Sequence, residues 1–251
     1  MSDPEVSVVL PCFEERDALE PLAAELHAAL RATGRSFELV FVDDDSRDGS
    51  RELLHQLFLR YRELRVVEHA VNCGESAAQA TGFLAARGEV VITMDSDGQN
   101  DPADIPRFLA ALAETGSDCV SGVREVREDD WLRRASSRVA NRVRTWLTRE
   151  GVSDAGCTYR AVRRAALTEV PVFNGMHRFL PALLRAQGFA TREIAVHHRP
   201  RTTGRSKYGV GNRAWRGLVD CFAVRWYQKR AVVGARMRTQ ERATRTEARR
   251  A

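Results

Sequence analysis

The chain has 251 residues, of which 43% are hydrophobic and 29% charged, with a formal net charge of +5 at pH 7. This is the composition of an ordinary globular domain, and no apolar run approaches the roughly 18 residues that span a bilayer. The positive charge does not indicate nucleic-acid binding, because it is confined to the end of the chain. The residues from Lys229 onward include eight Lys/Arg and only two Glu, and the rest of the chain is slightly acidic.

The amino terminus and the cysteines both indicate a protein that is made and kept in the cytoplasm. Residues 1–5 are acidic and lead straight into a predicted strand, unlike a secretory signal. The five cysteines are far apart and form no Cys-x-x-Cys pair. We therefore expect reduced, mostly buried thiols and no zinc site.

Strands and helices are predicted to alternate through the first half of the chain. Short β-branched runs predict strands, and apolar residues at helical spacing predict helices. The strands are 6–11, 37–42, 64–67, 90–94 and 119–122, and the helices are 19–30, 53–58, 74–86 and 105–112. This alternation predicts an α/β fold with a mainly parallel, Rossmann-like sheet flanked by helices.

The second half of the chain is more basic. A basic helix is predicted over 131–147, and strands over 168–173 and 192–196 enclose a helix over 176–187. The glycine-containing cationic loop at 197–209 would suit a lid that closes on phosphates.

This pattern predicts a single domain at 1–208, whose character changes at about residue 123. The last predicted helix, 209–230, carries Trp215, Phe222 and Trp226 on one face and basic residues on another. Aromatic and basic character together favour a helix lying on a membrane surface. A basic tail follows at 231–251.

The predicted strand at 90–94 runs directly into two acids, Asp95 and Asp97. Residues i and i+2 of an extended chain point the same way, so the two carboxylates repel each other unless a cation lies between them. Oxygen ligands of this kind suit Mg²⁺ or Mn²⁺ that also binds substrate phosphates. Ligands of open α/β sheets bind beyond the carboxyl ends of strands, which is where these acids are predicted to lie.

Two other predicted strands also end in acids. Glu14 and Glu15 follow the first strand, and three aspartates at 43–45 follow the second. Carboxylates accept hydrogen bonds from base N–H groups and ribose hydroxyls, so these acids favour a nucleotide cleft. The sequence has no glycine-rich phosphate loop, which leaves the phosphates to a metal.

Four motifs stand in a fixed order between Val6 and Trp226. They are Pro11-Cys12-Phe13-Glu14-Glu15, Val42-Asp43-Asp44-Asp45-Ser46-Arg47-Asp48-Gly49-Ser50, Asp95-Ser96-Asp97-Gly98-Gln99 and Arg201-Thr202-Thr203-Gly204-Arg205-Ser206-Lys207. Together they resemble the motifs of family 2 glycosyltransferases of the GT-A fold, and more narrowly those of polyprenyl-phosphate sugar transferases similar to dolichol-phosphate mannosyltransferase. The family's Asp-x-x-Ser-Gly-Phe differs here, since residues 154–159 read Asp-Ala-Gly-Cys-Thr-Tyr.

The resemblance implies a GT-A domain with a nucleotide-sugar half at about 1–123 and an acceptor half at about 124–208. It also implies a site, position by position. Donor-binding residues would be Pro11, Phe13, Glu15, Val42, Asp44, Asp95, Ser96, Asp97, Gln99, Arg201 and Lys207. Among them Asp95, Asp97 and Gln99 would hold the metal and the diphosphate, and Arg124 and Arg133 would bind the acceptor phosphate. Asp97 and Arg201 are the implied catalytic residues.

The implied reaction moves a sugar from a nucleotide diphosphate sugar, GDP-mannose or a UDP-sugar, to undecaprenyl or dolichyl phosphate with inversion. Two alternatives stay open. A sugar hydroxyl acceptor in cell-envelope polysaccharide synthesis would need a carboxylate to take its proton, and Asp154 is the candidate. An aspartate-nucleophile phosphatase would use Asp95 to carry a phosphoryl group.

The expected partners are a nucleotide-sugar and a polyprenyl-phosphate lipid, with a membrane protein allowed for and nucleic acid excluded. The expected location is cytoplasmic, peripheral at the inner face of the cell membrane.

Overall fold

Residues 3–124, 147–148, 153–154, 156–200 and 210–232 are described by the structure, a computed structural model. The strands in these residues are β1 Val6–Cys12, β2 Phe37–Asp43, β3 Leu64–Glu68, β4 Val90–Thr93, β5 Cys119–Arg124, β6 Arg160–Arg163 and β7 Thr191–Val196. The α-helices are α1 Arg16–Ala32, α2 Ser50–Arg60, α3 Glu75–Ala85, α4 Ile105–Thr115, α5 Arg164–Leu167, α6 Leu180–Ala186 and α7 Val210–Arg230.

All seven strands form one sheet in the order β3-β2-β1-β4-β6-β5-β7. β1 is parallel to both of its neighbours, β2 and β4, and only β6 runs antiparallel to the strands beside it. The predicted mainly parallel sheet is therefore confirmed. Its register places Cys12 opposite Asp43, so the chain leaves β1 and β2 side by side at the same edge.

Helices cover both faces of this sheet. Val8 and Leu10 of β1 point into a core with α1, α2 and α4, whereas Val9 points into a core with α3 and α6. Strands covered on both faces read as continuous apolar runs rather than alternating ones, which is why β1 and β2 could be recognised in the sequence.

The strand predicted at 168–173 is wrong. These residues follow α5 as a turn and an irregular segment. Their apolar character comes from Val170 and Phe173, which pack against buried clusters as single side chains, while Pro171 lacks the N–H that a ladder needs. The strand of this region is β6, which inserts between β4 and β5.

The helix predicted over 176–187 is interrupted. A 3₁₀ turn at Met176–Arg178 precedes α6, whose first turn contains Pro181. Proline has no N–H to donate to the carbonyl of residue 177, and the structure satisfies that carbonyl differently, because Arg160 Nη1 donates to His177 O at 2.7 Å.

Residues 131–146 of the predicted basic helix, residues 201–209 of the predicted lid and most of the basic tail lie outside the described residues. Among the described helices, none is long and apolar enough to cross a membrane.

Candidate functional site

The loops that leave β1 and β2 are tied together. The backbone N–H of Glu14 donates to Ser46 Oγ at 2.9 Å, and that of Glu15 donates to Ser50 Oγ at 3.1 Å. Glu14 and Asp45 both have left-handed backbones, with φ of 53° and 63°. Non-glycine residues rarely adopt this conformation, and such strain concentrates at functional sites. The two loops that were predicted to hold a base and a ribose, residues 13–15 and 44–50, are thus joined into one wall of the candidate site.

Asp44 connects this wall to a third segment, 69–74. It is buried, and its Oδ1 accepts hydrogen bonds from Cys73 N at 2.8 Å and from His69 Nδ1 at 2.7 Å. Its Oδ2 accepts from Gly74 N at 2.7 Å, and its backbone carbonyl accepts from Asn72 Nδ2 at 2.9 Å. The left-handed backbone of Gly74, with a φ of 86°, lets the chain present these groups to one carboxylate.

The acids that follow β4 lie beside the β1 loop. Ser96 Oγ donates to the carbonyl of Pro11 at 2.7 Å, and Asp97 Oδ1 accepts from Gln99 N at 3.0 Å. Asp95 and Asp97 are both partly buried. Burial and the neighbouring charge of Asp97 raise the pKa of Asp95 to about 6. Two carboxylates that disfavour each other's charge, in an all-oxygen donor set, fit a divalent cation such as Mg²⁺ or Mn²⁺.

Arg160 is a part of the site that the sequence reasoning missed. This guanidinium is fully buried, yet its charge acts on Asp95 and opposes the rise of that pKa. Its Nη1 binds the carbonyl of His177, and its Nε donates to Ser121 Oγ at 3.3 Å. The sequence feature that could have revealed it is an arginine within the otherwise apolar run 159–162.

Arg124 and Asp154 were predicted separately and are found as a pair. Arg124 is the last residue of β5, and its Nε and Nη2 donate to the two carboxylate oxygens of Asp154 at 2.7 and 2.8 Å. Burial by itself lowers the pKa of Arg124, but the hydrogen bonds that it donates to Asp154 and the negative charge of that carboxylate hold the pKa above its usual value. A guanidinium has five N–H groups, so Arg124 can bind a phosphate as well.

The segment that follows β7 is bonded to the predicted metal motif. Arg199 N donates to the carbonyl of Gln99 at 2.8 Å, and His198 forms an antiparallel bridge with Asn100. The Arg199 side chain adds Nη2 to Asp101 Oδ1 at 2.9 Å. The chain therefore enters the cationic segment at 201–209 from a point fixed on this motif. The predicted residues Arg133, Arg201 and Lys207 lie outside the described residues.

The structure places the remaining predicted donor residues at one edge of the sheet, either in the last two residues of β1 and β2 or in the loops that follow β1, β2 and β4. They are Pro11, Phe13, Glu15, Val42, Asp44, Asp95, Ser96, Asp97 and Gln99. Val42 differs from the others because its side chain is fully buried in the core against α3.

A mainly parallel sheet with acids beyond three neighbouring strands defines an α/β fold, and these acids lie at the edge where open α/β sheets bind ligands. A solved neighbour shows that this fold is GT-A. The chain resembles glucosyl-3-phosphoglycerate synthase of Mycobacterium tuberculosis, which was solved with Mn²⁺, uridine diphosphate and glucosyl-3-phosphoglycerate. The match covers 88% of this chain and 80% of that one, with a TM-score of 0.67 and 21% sequence identity.

The family model named "Glycosyl transferase family 2" matches residues 7–170. The chain belongs to this family, and the predicted resemblance is confirmed.

Two relatives narrow the comparison within the family. An undecaprenyl-phosphate 4-deoxy-4-formamido-L-arabinose transferase of Edwardsiella ictaluri is 38% identical over 207 residues, which are 82% of this chain and 63% of that protein. A dodecaprenyl-phosphate galacturonate synthase of Rhizobium johnstonii is 35% identical over 231 residues, or 90% of this chain and 68% of that one. The chain thus spans less than two thirds of the length of the first relative.

Proposed function

We propose that this protein is a metal-dependent, inverting glycosyltransferase that moves a sugar from a nucleotide diphosphate sugar to a polyprenyl phosphate. The observation that carries the proposal is the place of Asp95 and Asp97, beyond β4, with the entry to the cationic segment 201–209 bonded to Gln99. An acidic cation site faced by arginines brings two negatively charged substrates together. The names of the two polyprenyl-phosphate relatives support the same substrate class.

The donor in this proposal is GDP-mannose or a UDP-sugar. The tied loops around Glu15 and Asp44 would hold the base and the ribose, and Asp95, Asp97 and Gln99 would hold Mg²⁺ or Mn²⁺. Such an ion would supply charge neutralisation for the leaving diphosphate. Arg201 and Lys207 would bind the donor phosphates from the lid segment.

The acceptor in this proposal is a phosphate rather than a hydroxyl. A phosphomonoester is largely a dianion at neutral pH and attacks the sugar without losing a proton. Transfer of the sugar to it therefore needs no general base, but it does need cations, because both substrates are negatively charged. Asp154 is a poor proton acceptor, because both of its oxygens accept charge-assisted hydrogen bonds from Arg124. Arg124 and Arg133 would bind the acceptor phosphate.

We place the enzyme peripherally, at the inner face of the cell membrane, through α7. Cys221 and Val224 of this helix pack into a buried cluster, whereas Val219, Phe222 and Trp226 are 50%, 57% and 65% exposed. Two cations, Lys229 and Arg230, end the same helix. An apolar stripe beside positive charge is complementary to an anionic lipid surface, so we assign it to lipid rather than to a membrane-protein partner.

The proposal is tested by incubating the protein with Mg²⁺ or Mn²⁺, a panel of UDP- and GDP-sugars, and undecaprenyl or dolichyl phosphate. We expect lipid-linked sugar from one donor, and none from the Asp97→Ala variant. Release of inorganic phosphate without lipid-linked sugar would instead support the phosphatase alternative.

A further inference from the structure

Three side chains of different chemistry converge beside the wall of the site. A carboxylate oxygen of Asp44, a ring nitrogen of His69 and the sulfur of Cys73 all lie within 4.8 Å of one another. Cys73 is exposed, whereas the other four cysteines of the chain are buried. Only this thiol combines access to solvent with a neighbouring imidazole and carboxylate.

The two inner members of this group are already oriented. His69 Nδ1 faces Asp44 Oδ1 at 2.7 Å, and His69 Nε2 lies 2.9 Å from Thr81 Oγ1. A metal-bound histidine coordinates through one ring nitrogen and donates the N–H of the other to a nearby oxygen, which fixes its ring. Thr81 is placed to accept that hydrogen bond. The amide of Gly74 holds the second oxygen of Asp44 at 2.7 Å.

We propose that Asp44, His69 and Cys73 form a zinc site with a fourth position open to water. Imidazole and thiolate ligands select Zn²⁺ over Mg²⁺, whereas the all-oxygen pair Asp95 and Asp97 suits Mg²⁺ or Mn²⁺. The chain thus carries two sites that sort metals by ligand type. When Zn²⁺ binds, the thiol proton of Cys73 is released, and the proton that His69 Nδ1 directs at Asp44 moves to Nε2, where Thr81 accepts its hydrogen bond. This proposal departs from the expectation of no zinc site, because the three ligands follow no zinc-motif spacing in the sequence.

This zinc site shares Asp44 with the contact proposed for the base and ribose. Zn²⁺ and the nucleotide are therefore expected to exclude each other, so that zinc inhibits transfer when Cys73 is reduced. The competition rests on the proposed function. The binding of zinc itself does not.

Binding is tested with the reduced protein and Co²⁺, which stands in for Zn²⁺ and absorbs in the near ultraviolet when a thiolate coordinates it. Excess Mg²⁺ occupies the all-oxygen site. We expect one equivalent of Co²⁺ to produce this band, and Zn²⁺ to abolish it by displacement. Cys73→Ser should remove the band and His69→Gln should weaken Zn²⁺ binding at least tenfold, while Thr81→Val should weaken it by about tenfold.

Two control variants distinguish zinc binding at this site from binding at another histidine and at the all-oxygen site. His55→Gln changes an exposed histidine that pairs with Glu68 and should bind Zn²⁺ like the wild type. Asp97→Ala should keep the band while losing sugar transfer, so a failure of the transferase proposal leaves this result unaffected. Absence of a thiolate band in the wild type, or equal Zn²⁺ affinity in Cys73→Ser, would overturn the zinc site.

Discussion

Arg124 binds Asp154 through two parallel hydrogen bonds, from Nε to Oδ2 at 2.7 Å and from Nη2 to Oδ1 at 2.8 Å. Gly156 N donates a further hydrogen bond to Oδ1 at 3.2 Å. Charge-assisted bonds of this kind are about twice as strong as neutral ones and favour the ionised carboxylate. Asp154 therefore positions an arginine at the end of β5, where its charge also acts on Asp95.

Asp154→Asn should lower kcat/KM by about tenfold, because the amide keeps one acceptor for Arg124 but loses the charge. A general base contributes about 10²- to 10⁴-fold, so the positioning role predicts the smaller loss and an unchanged shape of the pH–rate profile. Initial rates between pH 6 and 9 measure both quantities. A thousandfold loss, or disappearance of the acidic limb of the profile, would identify Asp154 as a base and favour a hydroxyl acceptor.

Arg160→Met should cost about 3 kcal/mol of unfolding free energy, because it leaves a buried carbonyl without its donor and removes one of the two positive charges that act on Asp95. Arg163→Met is the matched control, since it lies on the same strand with a 36% exposed side chain paired to an exposed glutamate. We expect the control to change stability by about 0.5 kcal/mol or less. Urea denaturation compares the two variants, and equal losses would show that Arg160 is not a buried electrostatic element.

The pH dependence of stability should have a component from Glu38. Burial by itself raises the pKa of this carboxyl, but hydrogen bonds from Ser7, Arg87 and Arg65 outweigh it and the pKa is lowered. The folded state therefore favours the carboxylate. Its stabilisation is complete above the unfolded pKa of about 4.3 and is lost as the pH falls through the lower folded pKa.

Glu38→Gln should accordingly cost about 1–3 kcal/mol at pH 7, with the difference from wild type narrowing toward pH 3. The matched control is Glu20→Gln, which removes a pair between Glu20 and Arg60 whose side chains are 58% and 61% exposed. Such surface pairs contribute about 0–1 kcal/mol. Urea midpoints across this pH range measure both variants, and a pH-independent loss in Glu38→Gln would contradict the account.

The double variant Phe222→Glu, Trp226→Glu should weaken binding to vesicles that contain phosphatidylglycerol by at least tenfold. Burying each aromatic side chain contributes about 1.5–3 kcal/mol, and about 1.4 kcal/mol corresponds to a tenfold change. Leu59→Glu is the control, because Leu59 is 84% exposed but lies on α2. Vesicle flotation measures the bound fraction, and equal flotation of wild type and double variant would exclude α7 as the contact.

The first half of the fold could be predicted because each of its elements follows from local pattern. β1 and β2 are apolar on both faces, and each runs into a polar loop that ends it. Strand β6 could not be predicted in the same way. It has four residues with arginine at both ends, and it enters the sheet antiparallel between two strands that precede it in the chain.

The candidate site likewise has a part that could be predicted from local sequence and a part that could not. Asp95 and Asp97 are neighbours in sequence, so their shared chemistry was visible before the fold was known. The group of Asp44, His69 and Thr81 depends on contacts between β2, the end of β3 and α3, which only the packed structure brings together. The pairing of Arg124 with Asp154 is hidden for the same reason, since 30 residues separate the partners.

The most direct test of the account compares two acceptors that differ only in the phosphate, undecaprenyl phosphate and undecaprenol. Each is incubated in detergent with Mn²⁺ and the labelled donor that the panel identifies, using wild type and Asp97→Ala. We expect labelled lipid only from the phosphate and only with the wild type. Labelled product from the alcohol, or undiminished product from Asp97→Ala, would contradict it.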